Sequence, residues 1–184
     1  MLLGCRPKGR NIEQHDVFFT IATSLLLTTN AIKEFWPESK GNIHIDAWRE
    51  VTSVNGYSIK VIKVIEDTSE KKSNLNSLFF INLGGYKPGE WEEFHYKMLI
   101  VANNKEEAIS IAKQTAFFKH TGFKTAPAHI DDKYGIDTDD VHEINDILST
   151  DLKKTFSIEI TQAVTQEVDA LHIGYLPIFR ISEG

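Results

Sequence analysis

Apolar and polar positions along the chain predict short strands and two helices in an order that occurs twice. Residues 78–83 are mainly apolar and end at Gly84-Gly85, which is typical of a strand followed by a loop. Residues 15–22 and 95–102 carry apolar residues at matching positions and on both faces of part of their length. This pattern predicts two strands in the centre of a sheet.

A helix is predicted after each of these two strands. In the second, Asn104 and Glu107 have the spacing of a capping box, and Gly122 is a suitable stop. In the first, Ser24 is the predicted cap and Pro37 ends the helix, although the stretch between them is poorer in helix formers.

The two strand and helix series resemble each other in sequence. Residues 3–16 recur as 83–96, and at this offset of 80 five of fourteen positions are identical: Leu3/Leu83, Gly4/Gly84, Gly9/Gly89, Glu13/Glu93 and His15/His95. His44-Ile45-Asp46 recurs as His129-Ile130-Asp131 at an offset of 85. We interpret the repetition as an internal duplication.

These patterns predict an α+β fold: a tandem duplication of a strand-strand-helix-strand(-strand) unit plus a C-terminal β-hairpin. The predicted segments are a first α/β repeat at 1–65, a polar linker or loop at 66–76, a second repeat at 77–148, and a tail at 149–184. The repeats are expected to share one antiparallel-to-mixed sheet, which the tail hairpin completes. Asn55-Gly56 predicts a tight hairpin turn. The first copy has only three residues of its opening strand, so we expect that strand to be cut short.

In the tail, residues 155–161 alternate strictly between polar and apolar, and 171–181 form a second predicted strand. Pro177 favours an edge position for that strand because proline cannot donate a ladder hydrogen bond.

Charge and cysteine content narrow the functional classes. The net charge of -6 is uneven, because residues 1–65 carry 8 Lys/Arg and 6 Asp/Glu while residues 66–184 carry 12 and 20. An acidic second half argues against nucleic-acid binding, which depends on neutralising phosphates. Cys5 is the single cysteine, so no internal disulfide forms, and no apolar run is long enough to span a membrane. With no signal peptide recognisable, we predict a cytoplasmic protein.

Four segments resemble the bacterial family described as domain of unknown function 1543. They are Gly-Arg-Asn-Ile-Glu-Gln-His-Asp at 9–16, His-Ile-Asp-Ala-Trp-Arg-Glu-Val at 44–51, Asn-Leu-Gly-Gly-Tyr-Lys-Pro-Gly-Glu at 82–90 and His-Thr-Gly-Phe-Lys at 120–124. The resemblance implies a small cytoplasmic bacterial protein built from α/β repeats. It implies no activity and no functional residues.

The repeated polar residues predict a site at one rim of each repeat. A strand-helix-strand connection normally joins parallel strands, so the second and third strands of a repeat should start at the same end of the sheet. The side chains expected to meet there are Glu13, His15, His44 and Asp46, with repeat equivalents Glu93, His95, His129 and Asp131. Two histidines and two carboxylates suit a divalent zinc, iron or manganese ion. In a metal-dependent, hydrolase-like enzyme, Glu13 would serve as ligand or general base.

The same residues can instead hold the fold together. A neutral histidine can bridge backbone groups across a loop, and a carboxylate can accept hydrogen bonds from the amides of a glycine turn. A fold-holding feature is needed in both copies, so duplication fits this interpretation at least as well. The leading prediction is therefore a non-catalytic binding or interaction module, with the metal-dependent enzyme as the alternative.

The first glycine loop supports a third hypothesis. Gly4 and Gly9 enclose Arg6 and Lys8, and Arg10 follows directly. Backbone amides and three cations could bind phosphate or another anion. The loop lacks a P-loop ending and leads to a strand, so no helix dipole would assist.

Two further residues bear on partners and reactivity. Trp91 lies between glutamates in a loop, and a large ring there predicts packing on the neighbouring copy or on a partner subunit, as in a homodimer. Cys5 stands where the second copy has Gly85, so we interpret it as a tolerated small residue and not as a nucleophile.

Overall fold

The computed structural model describes residues 1–64, 75–86, 89–120, 137–163 and 168–181. By its internal contacts the chain divides into two compact units. The first unit comprises Met1–Thr52, Leu148–Phe156 and Glu167–Gly184, and the second comprises Ser53–Ile147 and Ser157–Gln166. No helix within the described ranges is both long and apolar enough to cross a bilayer.

Ten strands and five α-helices are described in these ranges. The strands are β1 (Leu2–Cys5), β2 (Gln14–Val17), β3 (Ile43–Trp48), β4 (Ser53–Val54), β5 (Tyr57–Lys63), β6 (Ser77–Tyr86), β7 (Glu93–Ala102), β8 (Asp137–Glu143), β9 (Phe156–Gln162) and β10 (His172–Pro177). The helices are α1 (Thr29–Phe35), α2 (Lys105–His120), α3 (Ile144–Ile147), α4 (Thr150–Thr155) and α5 (Ile178–Ile181). Short 3-10 helices lie at Leu26–Thr28 and Pro37–Ser39. The predicted α+β class is confirmed.

The first unit contains a four-stranded sheet in the order β10-β3-β1-β2. Strand β1 is antiparallel to both β2 and β3, so those two strands run in the same direction. Alternate residues of β1, Leu3 and Cys5, are fully buried in a core that includes Ile32 of α1. Because side chains alternate along a strand, Gly4 lies on the face of the sheet opposite to this core.

Helix α1 begins later than predicted. A 3-10 helix at Leu26–Thr28 precedes it, and its N-cap is Thr28 without a side-chain capping bond. The Thr28 and Thr29 hydroxyls donate to the carbonyl oxygens of Leu25 and Leu26, at 2.7 and 2.8 Å. Hydroxyls that bond locally to the backbone compete with regular helix geometry. The prediction that Ser24 caps this helix is therefore wrong.

The second unit contains two three-stranded sheets, β7-β6-β8 and β4-β5-β9. Strand β6 is central in the first of these sheets and is antiparallel to both neighbours. The prediction that residues 15–22 and 95–102 form central strands is wrong, because β2 and β7 each lie at the end of the described strand order of their sheet. Apolar residues on both faces identify a strand but do not fix its place in the sheet. Phe79, Ile81 and Leu83 pack with Ala108 and Ala112 of α2.

The capping signal at the start of α2 is confirmed. Asn104 Oδ1 accepts the backbone N–H of Glu107 at 2.8 Å. The Glu107 carboxylate accepts from the backbone N–H of Asn103 at 2.8 Å, one residue before the partner of a regular capping box. The predicted stop at Gly122 lies outside the described residues.

The predicted turn at Asn55-Gly56 is confirmed. It joins β4 to β5 with positive φ angles of 36° and 88°, as a two-residue hairpin turn requires. The strand predicted over residues 15–22 is shorter in the structure, Gln14–Val17.

The predicted C-terminal hairpin is wrong, and so is the single shared sheet. Strand β9 lies beside β5 and strand β10 pairs with β3, so the two tail strands belong to different sheets. By pairing with β5 and β3, the two tail strands supply partners for the N–H and C=O groups at the edges of two sheets. A hairpin formed by the tail strands alone would leave those edge groups without partners. Pro177 does lie on an edge strand, as predicted.

Candidate functional site

In the first unit the candidate site is built around Gly4 on the central strand. Gly4 pairs with His15 on β2 and with His44 on β3. The β1–β3 register then shifts, because Leu3 pairs with Ile45 while the preceding Leu2 pairs with Ala47. Asp46 is therefore the extra residue of a β-bulge, a feature that redirects a side chain.

The four predicted side chains of this unit come together, and we call them the first cluster: Glu13, His15, His44 and Asp46. His44 Nε2 lies 3.1 Å from a Glu13 carboxylate oxygen and 3.2 Å from Asp46 Oδ1. His15 Nε2 lies 3.4 Å from Asp46 Oδ2 and 3.7 Å from the other Glu13 oxygen. Each imidazole thus contacts both carboxylates.

Burial differs strongly within the first cluster. The His44 side chain is only 7% exposed, and its ring packs against the Tyr175 ring with centroids 4.3 Å apart. Glu13 and His15 are each 43% exposed. Asp46 Oδ2 is buried without a hydrogen-bond partner in the described part of the chain, since its contact with His15 lacks hydrogen-bond geometry. A buried carboxylate oxygen in this state favours a cation beside it.

Position 4 must be a glycine because the first cluster occupies the space that a Cβ atom would fill. A Cβ atom at position 4 would overlap His44 Nε2 and lie 2.8 Å from Asp46 Oδ2. The φ angle of Gly4 is not in the positive range, so the requirement is steric and not conformational.

The second unit repeats part of this arrangement in its own sheet. Gly84 on β6 pairs with His95 on β7, and the β6–β8 register shifts between Asn82 and Leu83. Asp139 is the extra residue of that shift, and a Cβ atom at Gly84 would lie 2.8 Å from its Oδ1. The bulged aspartate thus occupies the space above the glycine in this unit as well.

Glu93, His95 and Asp139 form what we call the second cluster. His95 Nε2 lies 3.2 Å from Asp139 Oδ2 and 3.9 Å from a Glu93 oxygen. One ligand atom from each of these residues lies within 4.8 Å of the others. The predicted equivalents His129 and Asp131 lie outside the described residues.

Sequence reasoning missed Asp139. The available signal was Asp-Thr-Asp at 137–139, which places an aspartate two residues after a polar residue as His-Ile-Asp does at 44–46. Recognising it requires the register of β8 against β6, which is a long-range property.

The basic loop is organised differently from an anion cradle. The Arg6 guanidinium donates to the carbonyl oxygens of Arg10 and Asn11, at 3.4 and 2.9 Å. The Arg10 backbone N–H donates to Pro7 O at 3.2 Å, and Gly9 has a left-handed φ of 87°. These donors close the turn internally, which leaves the exposed side chains of Lys8 and Arg10 as the cations facing solvent. Anion binding here stays a prediction.

Cys5 is buried beneath the first cluster, with 1% of its surface exposed. Burial raises the pKa of its thiol, and the negative charge of Glu13 adds to the effect. A thiol with less thiolate is a poorer nucleophile.

Trp91 is fully exposed, and its predicted contact with a partner stays a prediction.

The architecture is similar to that of a solved structure. The crystal structure of a protein Il1583 from Idiomarina loihiensis matches with a TM-score of 0.62 and 21% sequence identity, covering 96% of this chain and 93% of that chain. At this identity the match establishes the fold class alone, an α+β protein with antiparallel sheets.

The family is indicated by a separate comparison. Residues 10–61 match the family model described as Domain of Unknown Function (DUF1543), which confirms the resemblance found in the sequence. The matched segment contains all four residues of the first cluster. A search of curated proteins finds no match.

Proposed function

We propose that the protein is a non-catalytic binding module whose first unit holds a divalent metal ion between Glu13, His15, His44 and Asp46. The observation that carries the proposal is the buried Asp46 Oδ2, which has no hydrogen-bond partner in the described chain and lies 3.4 Å from His15 Nε2. A cation coordinated at this oxygen would remove the cost of leaving it unsatisfied.

The nitrogen-to-oxygen distances of the first cluster support a metal ligand set, in which the side chains would shift so that one atom of each residue faces the ion. Bonds of about 2.1 Å in octahedral geometry place ligand atoms about 3.0–4.2 Å apart. The four nitrogen-to-oxygen contacts of the cluster span 3.1–3.7 Å. Two imidazoles with two carboxylates favour zinc, iron(II) or manganese over magnesium or calcium. The exposed Glu13 and His15 side chains can adjust as the ion binds, while His44 is held by Tyr175.

One observation also favours a metal-dependent, hydrolase-like enzyme as a second candidate. Glu13 and His15 are each 43% exposed, so a metal in this cluster would be accessible to water on that side. Glu13 would then accept a proton from a metal-bound water. Zinc-loaded protein should hydrolyse a panel of phosphoesters and carboxylic esters, and Glu13→Gln should lose that activity while keeping the metal. Metal binding without hydrolysis leaves the non-catalytic module.

Metal analysis of protein purified without a nickel column tests the proposal. About one equivalent of zinc, iron or manganese should copurify with or be taken up by the first unit, and His15→Ala should lose it. His142→Ala is the matched control because His142 is exposed and belongs to neither cluster. If wild type and His15→Ala bind the same amount of every metal, the first cluster is a hydrogen-bonded support for the fold.

The same features support an origin of the two units by duplication. Gly4 pairs with His15 and Gly84 pairs with His95, at the constant offset of 80 seen in the sequence. A bulged aspartate follows on the third strand in each case. A duplicated binding module would carry one such glycine-centred cluster in each copy.

A further inference from the structure

The geometry points to a second cation site in the second unit, formed by Glu93, His95 and Asp139. We propose that it takes a divalent ion of the Mn²⁺ class, which accepts several oxygen ligands. This site is separate from the first cluster and does not depend on it, since its residues lie on β7 and β8 of the second unit.

The ligand atoms have the spacing of a single coordination sphere. His95 Nε2 lies 3.2 Å from Asp139 Oδ2 and 3.9 Å from Glu93 Oε2, and one ligand atom of each residue lies within 4.8 Å of the other two. Octahedral bonds of about 2.1 Å give adjacent ligands about 3.0 Å apart and opposite ligands about 4.2 Å apart. One ion can therefore reach all three residues with small side-chain adjustments.

The backbone is shaped to bring Asp139 to this place. Asp139 is the extra residue where the β6–β8 register shifts, so its carboxylate is redirected across the central strand. Position 84 is a glycine, and any Cβ atom there would overlap the Asp139 carboxylate. A bulge and a missing side chain together hold a carboxylate beside His95.

Charge favours a cation over a self-contained hydrogen-bonded group. The second cluster has two carboxylates and one imidazole, and no lysine or arginine of the described chain forms an ion pair with Glu93 or Asp139. A single His95 Nε2 cannot neutralise both carboxylates. The uncompensated negative charge attracts a divalent ion.

The ligand types and the solvent exposure of the second cluster indicate which class of ion it would bind. The three side chains are 32–39% exposed, so water has access to the remaining coordination positions. Carboxylate and water ligands suit Mn²⁺ and similar hard ions, whereas additional imidazoles shift the preference to zinc and iron. With one imidazole and two carboxylates, the second cluster is the harder ligand set of the two described here.

Electron paramagnetic resonance of Mn²⁺ tests the proposal on the full chain, because the six-line signal of free Mn²⁺ falls as the ion binds. Titration of metal-stripped protein should show one Mn²⁺ bound through the second cluster. Removing a group that only orients a metal ligand already lowers metal affinity roughly 10–100-fold. Asp139 is a proposed direct ligand, so Asp139→Asn should weaken Mn²⁺ binding by at least about tenfold. His95→Gln should do the same.

Two controls show whether Mn²⁺ binds at the second cluster or elsewhere on the protein. Asp140→Asn changes the next carboxylate on β8, which accepts from Asn82 and lies outside the cluster, and should leave Mn²⁺ binding unchanged. Asp46→Asn should also leave this site intact, so that failure of the first cluster and failure of the second are read separately. Circular dichroism checks that each variant is folded, and if Asp139→Asn is not, the comparison rests on His95→Gln.

The proposal is overturned if Mn²⁺ titrations of the wild type and of the folded second-cluster variants coincide. It is equally overturned if Asp140→Asn loses as much Mn²⁺ as Asp139→Asn, or if Asp139 is needed for Zn²⁺ binding while Mn²⁺ does not bind.

Discussion

Replacing Gly4 by alanine tests whether the first cluster is as tightly built as the structure indicates. The new methyl group would overlap His44 Nε2 and lie 2.7 Å from His44 Cε1 and 2.8 Å from Asp46 Oδ2. His44 cannot move away easily, because it is 7% exposed and packs on Tyr175. The clash can be relieved only by forcing the imidazole out of its contacts with Glu13 and Asp46, so we expect those contacts to be lost at a cost in stability.

The expected loss of stability has two parts. Inserting a methyl group into a well-packed site costs about 1–3 kcal/mol. A hydrogen bond to a charged group contributes about 1.5–3 kcal/mol when it is desolvated, and we count only the contact of His44 with Asp46 because Glu13 is 43% exposed. With partial relaxation of both groups, Gly4→Ala should lower the free energy of unfolding by about 2–4 kcal/mol.

Urea unfolding followed by circular dichroism measures this loss, with Gly9→Ala as the matched control. Gly9 has a φ of 87°, but a Cβ atom added there would have no other atom within 4 Å. Alanine at position 9 should therefore cost only about 1–2 kcal/mol, from its left-handed backbone. In a His44→Ala background the cost of Gly4→Ala should shrink, because the main clash is gone. An unchanged unfolding midpoint for Gly4→Ala, or an equal cost in both backgrounds, would refute the reasoning.

Further predictions concern three groups outside the two clusters. Asn104→Ala removes the side chain that caps α2 at Glu107 and should lower stability by about 1 kcal/mol, measured by thermal denaturation; no change would mean that the cap contributes nothing. The Cys5 thiol should not react with a thiol reagent until the protein unfolds. Since its folded pKa is raised above 9.0, the folded protein retains a proton that the unfolded chain loses, so stability should fall as pH rises through and above that value. Asp169→Ala should lower the free energy of unfolding in urea by about 1–2 kcal/mol, because Asp169 accepts hydrogen bonds from the Thr52 N–H and hydroxyl. Thr52→Val should show part of the same loss. If neither variant changes the stability, these hydrogen bonds do not stabilise the fold.

Local signals in the sequence predicted the parts of the fold that depend on neighbouring residues. The Asn104 cap and the Asn55-Gly56 turn each need only a few adjacent positions, and both are confirmed. The strand predicted at residues 78–83 is likewise confirmed as β6. The α+β class follows from these elements together.

The parts that depend on distant pairing could not be predicted in the same way. Alternation identifies residues 156–162 as a strand but does not indicate which sheet edge it joins, and the tail strands pair with β5 and β3 instead of each other. Asp139 joins the second cluster through a register shift against β6, and no local pattern reports such a shift. In α1, two successive threonine hydroxyls bond to the preceding carbonyls and displace the expected start.

The bulged aspartates have a consequence for how such a chain can change over time. Asp46 and Asp139 occupy positions without a counterpart on the neighbouring strand, so the ladder on either side stays paired whatever residue stands there. Related chains can therefore acquire, exchange or abandon the carboxylate while retaining the scaffold. The pairing of the strands and the chemistry of these two positions can in this way change separately, at the level of one codon in each half of the protein.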